Sequence, residues 1–363
     1  GTSPILARSP CLECVPRVQV LLTNERPSVR LSLLSLLLSI LLLLSLIASL
    51  TFGSVEYSHA QVWEVVSARL QGMHGPDKAI DSIVWELRAP RGLLAAVVGA
   101  GLALAGVAIQ TLVRNPLADP YLLGISSGSA VGATAVITFG LFSGLGVYAL
   151  SGGALLGAIA ATAAVYLVTV AQGGITPLRL ILTGVVLSSA FSAASSFLVF
   201  KGPDPRAAQS VMFWMLGSVA AAHWDTLLLP AIIVAVSLVI LVLLSGKLDA
   251  LAALGVDVGA LRKFLFFLQA LLVGTMVAVA GGIGFVGLVI PHIGRLLVGS
   301  LHRRLLPIAA LSGAIFLLWV DVVARISAPP QEIPLGVVTG VIGAPLFLLL
   351  MGRKSTLSSE GAR

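Results

Sequence analysis

Residues 114–130, RNPLADPYLLGISSGSA, form a polar, proline-broken hinge between two long apolar runs. Asn115-Pro116 is predicted to stop the incoming helix, because proline lacks an amide donor and disfavours a helical conformation in the residue before it. Asp119-Pro120 is predicted to start the next helix, with Asp119 as its N-cap and Pro120 at its first position. The small residues that follow let helix backbones approach closely, as packing inside a membrane requires. The hinge therefore indicates a tight re-entry into the bilayer.

The composition of the 363-residue chain indicates a polytopic membrane protein, since 58% of its residues are hydrophobic and only 10% are charged. Its net charge of +7 does not point to nucleic acid, because the basic residues lie in short loops between apolar runs. We therefore predict membrane lipid as the surrounding medium and no nucleic-acid partner.

Ten apolar segments come near the ~20 residues that cross the hydrocarbon core. The predicted all-α domain of about ten membrane helices occupies residues 31–351. Residues 1–30 are predicted to be a disordered N-terminal tail, and residues 352–363 a cytoplasmic C-terminal tail. The approximate spans are 31–50, 91–113, 121–142, 149–171, 178–200, 226–245, 264–280, 283–298, 306–323 and 335–351.

The basic residues are distributed unevenly between the two predicted faces. Ten spans place both termini on one side of the membrane, and most of the 22 Lys and Arg residues fall on that side. The positive-inside rule then predicts a multi-pass protein of the cell membrane with both termini in the cytoplasm.

Several kinds of reactive site are missing from the sequence. No GxxxxGK[ST] motif is present, so the chain is predicted not to hydrolyse ATP itself. No acid or lysine lies near the middle of a predicted span, which counts against proton coupling. Cys11 and Cys14 form a lone CxxC without a second pair of ligands. We therefore predict a protein that is not an enzyme and has no cofactor and no metal centre.

The predicted cytoplasmic loop 246–263 has leucines at the spacings of a short amphipathic helix, among them Leu248, Leu251 and Leu254. Such a helix could lie on lipid. It could also insert into a groove of a partner protein.

Ser188, Ser192 and Ser195 recur at steps of four and three residues, so they share one face of the span 178–200. A serine stripe in a membrane helix either packs against another helix or lines a pathway, and packing is the more common use. The span begins as the hinge does, with Thr176 as a cap and Pro177 at the first helical position. This entry is a candidate gate.

The segment 281–307, GGIGFVGLVIPHIGRLLVGSLHRRLLP, contains Pro291 within an apolar run, and Pro291 is predicted to kink its helix. His292 has two interpretations, a ligand or a hydrogen-bonded packing residue, and the sequence favours the second. The basic cluster 302–304 is predicted to hold the following turn at the membrane surface. We predict a structural role, as hinge positions, for Pro291 and for the hinge that begins at Arg114.

Three separated motifs resemble the FecCD family of importer permeases. They are RNPLADPYLLGISSGSAVGA at 114–133, GGIGFVGLVIPHIGRLLVG with HRRLLP at 281–307, and PLGVVTGVIGAPLFLLL at 334–350. The family comprises the membrane subunits of binding-protein-dependent ABC importers for ferric siderophores, haem, cobalamin and related metal chelates. The resemblance, which covers about residues 31–351, implies a fold like that of the cobalamin importer permease. It also implies a homodimer with a second copy, two cytoplasmic ATP-binding subunits and an extracytoplasmic substrate-binding protein.

The resemblance implies roles for residues on the outer face. ELRAPRG at 86–92 and DVVAR at 321–325 are similar to family segments whose arginines pair with glutamates of the binding protein. The corresponding residues here are Arg88, Arg91 and Arg325.

The resemblance also implies a cytoplasmic gate at the loop of Ile175, Thr176 and Pro177, although the cobalamin permease has small hydroxylated residues there. The helix with the serine stripe corresponds to one that lines the pathway at the dimer interface. This correspondence favours a lining role for the stripe.

One segment departs from the family pattern. The coupling segment of the family usually reads like LxxLxLGxExAxxLGV, whereas residues 248–256 read LDALAALGV, a shorter version without the acidic core. The positions that the resemblance assigns to the ATPase contact are Leu248, Asp249, Leu251, Leu254 and Gly255.

Two alternatives stand beside the importer permease. One is an ion-coupled secondary transporter that acts without an ATPase, because backbone carbonyls can bind sodium without acidic residues. The other is a membrane-embedded enzyme, but no nucleophile with a base lies within a predicted span. Co-purification of an ATPase distinguishes the importer from the secondary transporter.

Overall fold

A computed structural model describes residues 29–53, 55, 57–254, 259–329 and 331–360. Cys11, Cys14, Gly255 and the tail up to residue 28 lie outside these residues. The described residues are all-α, and no strand occurs among them. The helices are α1 Val29–Ser49, α2 His59–Leu70, α3 Lys78–Asp81, α4 Ala89–Leu112, α5 Ile125–Phe139, α6 Ala149–Ala171, α7 Pro177–Lys201, α8 Pro205–Met215, α9 Trp224–Leu243, α10 Ser245–Leu254, α11 Gly259–Ala280, α12 Val286–Val298, α13 His302–Ile326 and α14 Leu335–Glu360.

Three other helical segments occur among the described residues. A π-helical segment, Ser82–Arg88, joins α3 to α4, and 3₁₀ helices at Pro120–Leu123 and Ser143–Tyr148 precede α5 and α6. The helix α14 extends to Glu360, so residues 352–360 of the predicted C-terminal tail are helical.

In the part of the chain that the structure describes, seven helical stretches are long and apolar enough to cross a membrane. They are Leu31–Ser49, Lys78–Leu112, Ser143–Ala171, Pro177–Lys201, Trp224–Leu243, Gly259–Ala280 and His302–Ile326. Three further apolar helices, Ile125–Phe139, Val286–Val298 and Leu335–Leu349, coincide with the other predicted spans but are shorter. The all-helical membrane fold is therefore confirmed, whereas the described residues do not confirm ten full-length spans.

The hinge is built from one helix end and one interrupted helix start. Past the end of α4, Arg114 adopts a left-handed conformation with φ 53°. The Asp119 carboxylate then accepts the Tyr121 amide at 2.7 Å, as an N-cap does. The helix that starts at Pro120 lasts one turn, because Gly124 has φ 74° and ends it. The helix α5 begins only after this glycine, which is why it is just 15 residues long.

The helix α4 is the centre of the bundle. In Lys78–Leu112, 83% of the apolar span is buried inside the protein, compared with 6% for α1. It packs against α9, α11, α12 and α13. Gly106 touches the backbone of Gly287 in α12 so closely that a Cβ at Gly106 would overlap the Gly287 carbonyl oxygen. Glycine at this crossing allows the close helix contact that membrane packing uses.

The helix α12 continues through Pro291. Because proline has no amide hydrogen, the carbonyl of Gly287 loses its helical donor. The side-chain amide of Gln110 in α4 donates to this carbonyl at 3.4 Å and also to Ala118 O at 3.3 Å. A buried amide of the central helix thus compensates for the proline and ties it to the hinge.

The hinge is also bonded to the loop between α11 and α12. The Tyr121 hydroxyl donates to Ile283 O and accepts from Ile283 N–H, both at 3.0 Å. The Gln269 side chain donates to Pro120 O at 2.9 Å. These bonds fix the hinge against the bundle rather than leaving it as a free loop.

A small cap precedes α4. Val62, Val65 and Val84 form its apolar core. Arg69 donates to Asp81 at 2.9 Å and 2.6 Å, and this hydrogen bonding raises the pKa of the Arg69 guanidinium. The ion pair holds α2 against α3 ahead of α4.

Candidate functional site

Two polar clusters lie at opposite ends of the antiparallel helices α4 and α13. We call the first the arginine end and define it by Arg88, Arg91 and Arg325. The second is the histidine end, defined by Thr111, Asp249 and His302. The three sequence-predicted docking residues define the first cluster, and one predicted coupling position, Asp249, belongs to the second.

Arg91 is held by two carboxylates at the arginine end. Its Nε donates to Asp321 Oδ1 at 2.9 Å, and its Nη2 lies 2.8 Å from the same oxygen. The other edge of the guanidinium makes two parallel hydrogen bonds to Glu332, at 2.8 Å and 2.9 Å. Arg91 is only 8% exposed, so its charge is neutralised within the chain.

The other two arginines are also buried and occupied. Arg325 Nε lies 3.1 Å from Asp321 Oδ2, and its other nitrogens donate to the carbonyls of Phe52 and Ser49. Arg88 donates to the carbonyl oxygens of Leu50, Thr51 and Val55, at 2.7, 3.1 and 2.6 Å, and stacks over Tyr57 at 5.0 Å. Arg88 thus ties the chain between α1 and α2 to the start of α4, and Arg325 ties the end of α1 and the segment after it to α13.

All three predicted docking residues are therefore brought together, but none of them is exposed in the single chain. Asp321 and Glu332 are the partners that the sequence interpretation did not assign. Their positions at helix ends near arginines are the sequence signal that could have identified them.

At the histidine end, the Asp249 carboxylate accepts two hydrogen bonds from His302. They come from the backbone N–H at 3.0 Å and from Nδ1 at 2.6 Å. His302 Nε2 lies 2.7 Å from Thr111 Oγ1. His302 is 4% exposed, so it forms a buried connection between α10, α13 and α4.

The leucines predicted to contact an ATPase lie on α10. Leu248 and Leu251 are fully buried in the core of the chain itself, so they do not face a partner in this arrangement. Lys247, Ala252 and Ala253 form the exposed side of the helix. The structure does not describe the side chain of Leu254.

The candidate gate lies between α6 and α7. Thr176 caps α7 and accepts the Arg179 amide at 3.4 Å, and Pro177 occupies the first helical position. Ile175 packs against the main core. The loop is thus anchored at each of its three residues.

The serine stripe on α7 faces α5 and the hinge. Ser195 is buried and hydrogen-bonded to Thr134 of α5 at 2.8 Å. Ser188 lies against Gly124. Ser192 is exposed and lines a small cleft of about 70 Å³ together with Ser126 and Ser127. In the single chain the stripe is used for helix packing at Ser195 and borders open space at Ser192.

His292 is buried in α12 at 7% exposure. Among the described residues, no three His, Cys, Asp or Glu side chains gather where they could hold a metal ion.

The family comparison matches nearly the whole chain. The model of the FecCD transport family matches residues 41–353. A molybdate import system permease protein of Haemophilus influenzae is 39% identical over 86% of this chain and 94% of its own length. A hemin transport system permease protein of Yersinia pestis is 38% identical over 91% of this chain and 98% of its own length. A vitamin B12 import system permease protein of Vibrio cholerae is 43% identical over 75% and 83%.

A solved structure shares the fold. It is described as an inward-facing conformation of a metal-chelate type ABC transporter, with 36% identity and a TM-score of 0.76. The match covers 89% of this chain and 99% of that chain. The chain therefore belongs to the FecCD transport family, as its three motifs predict, and is an ABC importer permease.

Proposed function

We propose that two copies of this chain form the membrane core of a binding-protein-dependent ABC importer for a metal chelate. The substrate is a ferric siderophore, haem or cobalamin, and it passes between the two copies. Two separate ATP-binding subunits supply the energy. The observation that supports this best is the FecCD match over residues 41–353 together with relatives named for hemin and vitamin B12 import.

The exposed side of α7 supports a large chelate as the substrate. Between Arg179 and Lys201 the helix has no ionisable residue, and its exposed side carries Val186, Ser189 and Phe197. Such a surface offers no cation to a small oxyanion and binds a bulky substrate only weakly. The Ser192 cleft and the Ile175–Pro177 entry are the proposed pathway lining and cytoplasmic gate.

The arginine end is the proposed docking site for the binding protein. Glu332 holds Arg91 in the bidentate geometry that carboxylates and arginines prefer, and its side chain is 38% exposed. A carboxylate of the binding protein would take the place of Glu332 on Arg91. Docking is then an exchange of one carboxylate for another rather than the capture of a free cation.

The histidine end is the proposed cytoplasmic face, and α10 is the proposed contact with the ATPase. Because Leu248 and Leu251 point into the chain, the exposed residues Lys247, Ala252 and Ala253 form the contact surface. This surface is small, which fits the shortened coupling segment.

Reconstitution of the full complex tests the function. The chain, its co-purifying ATPase and a binding protein are placed in proteoliposomes, and uptake of ferric hydroxamate, hemin, cobalamin and molybdate is measured. We expect ATP-dependent uptake of one chelate. Uptake driven by an ion gradient without ATP would support the secondary transporter instead, and uptake of molybdate alone would contradict the chelate assignment.

A further inference from the structure

The helices α4 and α13 are joined at three levels along their length. Arg91 and Asp321 form an ion pair at the arginine end. In the middle, Gly99 and Gly313 bring the two backbones together so closely that a Cβ on either glycine would overlap the carbonyl oxygen of the other. His302 and Thr111 are 2.7 Å apart at the histidine end. These contacts hold the two helices together at both ends and in the middle, so we expect them to move as one unit.

The pair reaches from one side of the bilayer to the other. At 1.5 Å per residue, the 25 residues of α13 extend roughly 37 Å, compared with about 30 Å for the hydrocarbon core. Both ends of the pair carry polar clusters, and the middle is packed without polar side chains at the glycine contact.

The helix α10 is attached to this pair by directional bonds. Burial of Leu248 and Leu251 holds α10 to the bundle, but apolar contacts alone allow a helix to slide or rotate. The two bonds from His302 to Asp249 fix its position along α13.

The attachment lies at a weak turn of α13. Pro307 cannot donate to the carbonyl of Arg303, so the first turn lacks one of its helical hydrogen bonds. The contact between His302 and Thr111 connects this turn sideways to α4.

We propose that the Asp249–His302–Thr111 chain fastens α10 to the α4–α13 pair, and that this unit carries movements of α10 to the arginine end. His302 acts as a positioning residue, since it joins three helices from a buried position. The inference rests on the proposed function, in which α10 faces the ATPase and the arginine end faces the binding protein.

Two substitutions test the Asp249–His302–Thr111 contacts separately from the overall stability of the protein. Thr111→Val removes one hydroxyl without changing the side-chain volume greatly. His302→Asn keeps an amide where Nδ1 lies, so the bond to Asp249 can survive while the contact with Thr111 is lost. Thr162→Val is the matched control, because this buried threonine bonds only to Ala158 O of its own helix.

Hydrogen exchange of the purified chain tests the fastening without any partner. Both test variants should accelerate amide exchange in residues 246–253 by about tenfold, the effect of losing one buried hydrogen bond, and Thr162→Val should not. Equal exchange in the test variants and the control would overturn the proposed attachment.

A reporter at the arginine end tests the transmission. Ser327 is exposed directly after α13, so Ser327→Cys, with Cys11 and Cys14 changed to Ser, reacts with an impermeant maleimide. In the complex with the ATPase, ATP and vanadate should change the labelling rate. The change should disappear in Thr111→Val and His302→Asn and persist in Thr162→Val.

The outcomes separate the two proposals. Failure of an ATPase to co-purify counts against the proposed function, and the exchange measurement still decides the attachment. A bound ATPase with no nucleotide effect at Ser327, or with an unchanged effect in both test variants, overturns the transmission and leaves the proposed function intact.

Discussion

Asp321 is a completely buried carboxylate that contacts two guanidinium groups. It pairs with Arg91 on one side and Arg325 on the other, and Glu332 supplies the second negative charge. These four ionised groups carry no net charge, whereas Arg88, the third arginine of the arginine end, is held by backbone carbonyl oxygens. The balance around Asp321 matters, because an unpaired buried charge destabilises a protein strongly whereas a complete ion pair does not. Ionisable residues of this kind inside membrane proteins usually mark function.

Replacing Asp321 with Asn should destabilise the fold by about 3–5 kcal/mol, because it leaves buried arginines without their shared partner. Thermal unfolding of the detergent-solubilised chain measures this loss. Asp225→Asn is the control, since Asp225 is exposed in the first turn of α9. A stability loss no larger than that of the control would show that the arginines are compensated by other groups.

Replacing Glu332 with Gln should strengthen docking of the binding protein. The change removes the internal competitor for Arg91 and adds one positive charge to the arginine end, so affinity should rise most at low salt. Glu86→Gln, which weakens the 3.5 Å pair of Glu86 with Arg69 in the cap, serves as the matched control. Unchanged affinity in Glu332→Gln would remove Arg91 from the docking site.

At the scale of single elements, the sequence of α10 predicts the helix correctly, but its leucines contact the chain itself instead of a partner. Its leucine spacing predicts an amphipathic helix, and the helix Ser245–Leu254 is present. The apolar side turns into the chain, because α4, α9 and α13 already provide a surface that covers it. Among the side chains that the structure describes, the side left for a partner is short and carries small residues and Lys247.

Charges placed on this exposed side should release the ATPase. Ala252→Glu with Ala253→Glu introduces two carboxylates into the proposed contact, where they would be desolvated without partners. The chain should remain folded, since both alanines are exposed, whereas Leu251→Asp should unfold it. Pull-down of the ATPase in detergent measures the effect, and Ser300→Glu, on an exposed loop beside α13, is the control. Retention of the ATPase by the double variant would place the contact elsewhere.

Local features of the fold and the site can be predicted from sequence, whereas long-range contacts cannot. The caps at Asp119 and Thr176 depend on residues adjacent in the chain, so local patterns are sufficient to identify them. The one-turn helix before Gly124 could not be predicted in the same way, because a glycine followed by serines also fits a continuous helix. The pairing of Arg91 with Asp321 joins residues 230 positions apart, and a single sequence does not encode such contacts locally.

At the scale of the whole molecule, burial is unequal among the spanning helices. The stretch with α4 is 83% buried, whereas α7 and α9 are each 22% buried. Past Asp225 the exposed side of α9 is apolar, and before Lys201 that of α7 is apolar apart from Ser189, Ser192 and Ser196, which suits contact with lipid or with a second copy. The proposed dimer uses α7 for this contact, which would place Ser192 next to the pathway.

Labelling from outside the cell should establish the orientation. In a background with Cys11 and Cys14 changed to Ser, a cysteine at Lys201 should react with an impermeant maleimide, and one at Lys354 should not. The expectation follows from the excess of basic residues on the side of the termini. The reverse pattern would invert the proposed topology and exchange the two ends of the α4–α13 pair.

The long separation of Arg91 from Asp321 has a consequence for biosynthesis. With 230 residues between them and a synthesis rate of about 5–20 residues per second, the ribosome finishes α4 roughly 10–45 seconds before it reaches Asp321. During this interval the nascent α4 holds a cation whose final carboxylate partner does not yet exist. An unpaired charge within the hydrocarbon core is costly, so we expect Arg91 to stay at the interface with water until α13 emerges. The central helix is therefore synthesised early, whereas its ion pair with Asp321 can form only after α13 has been made.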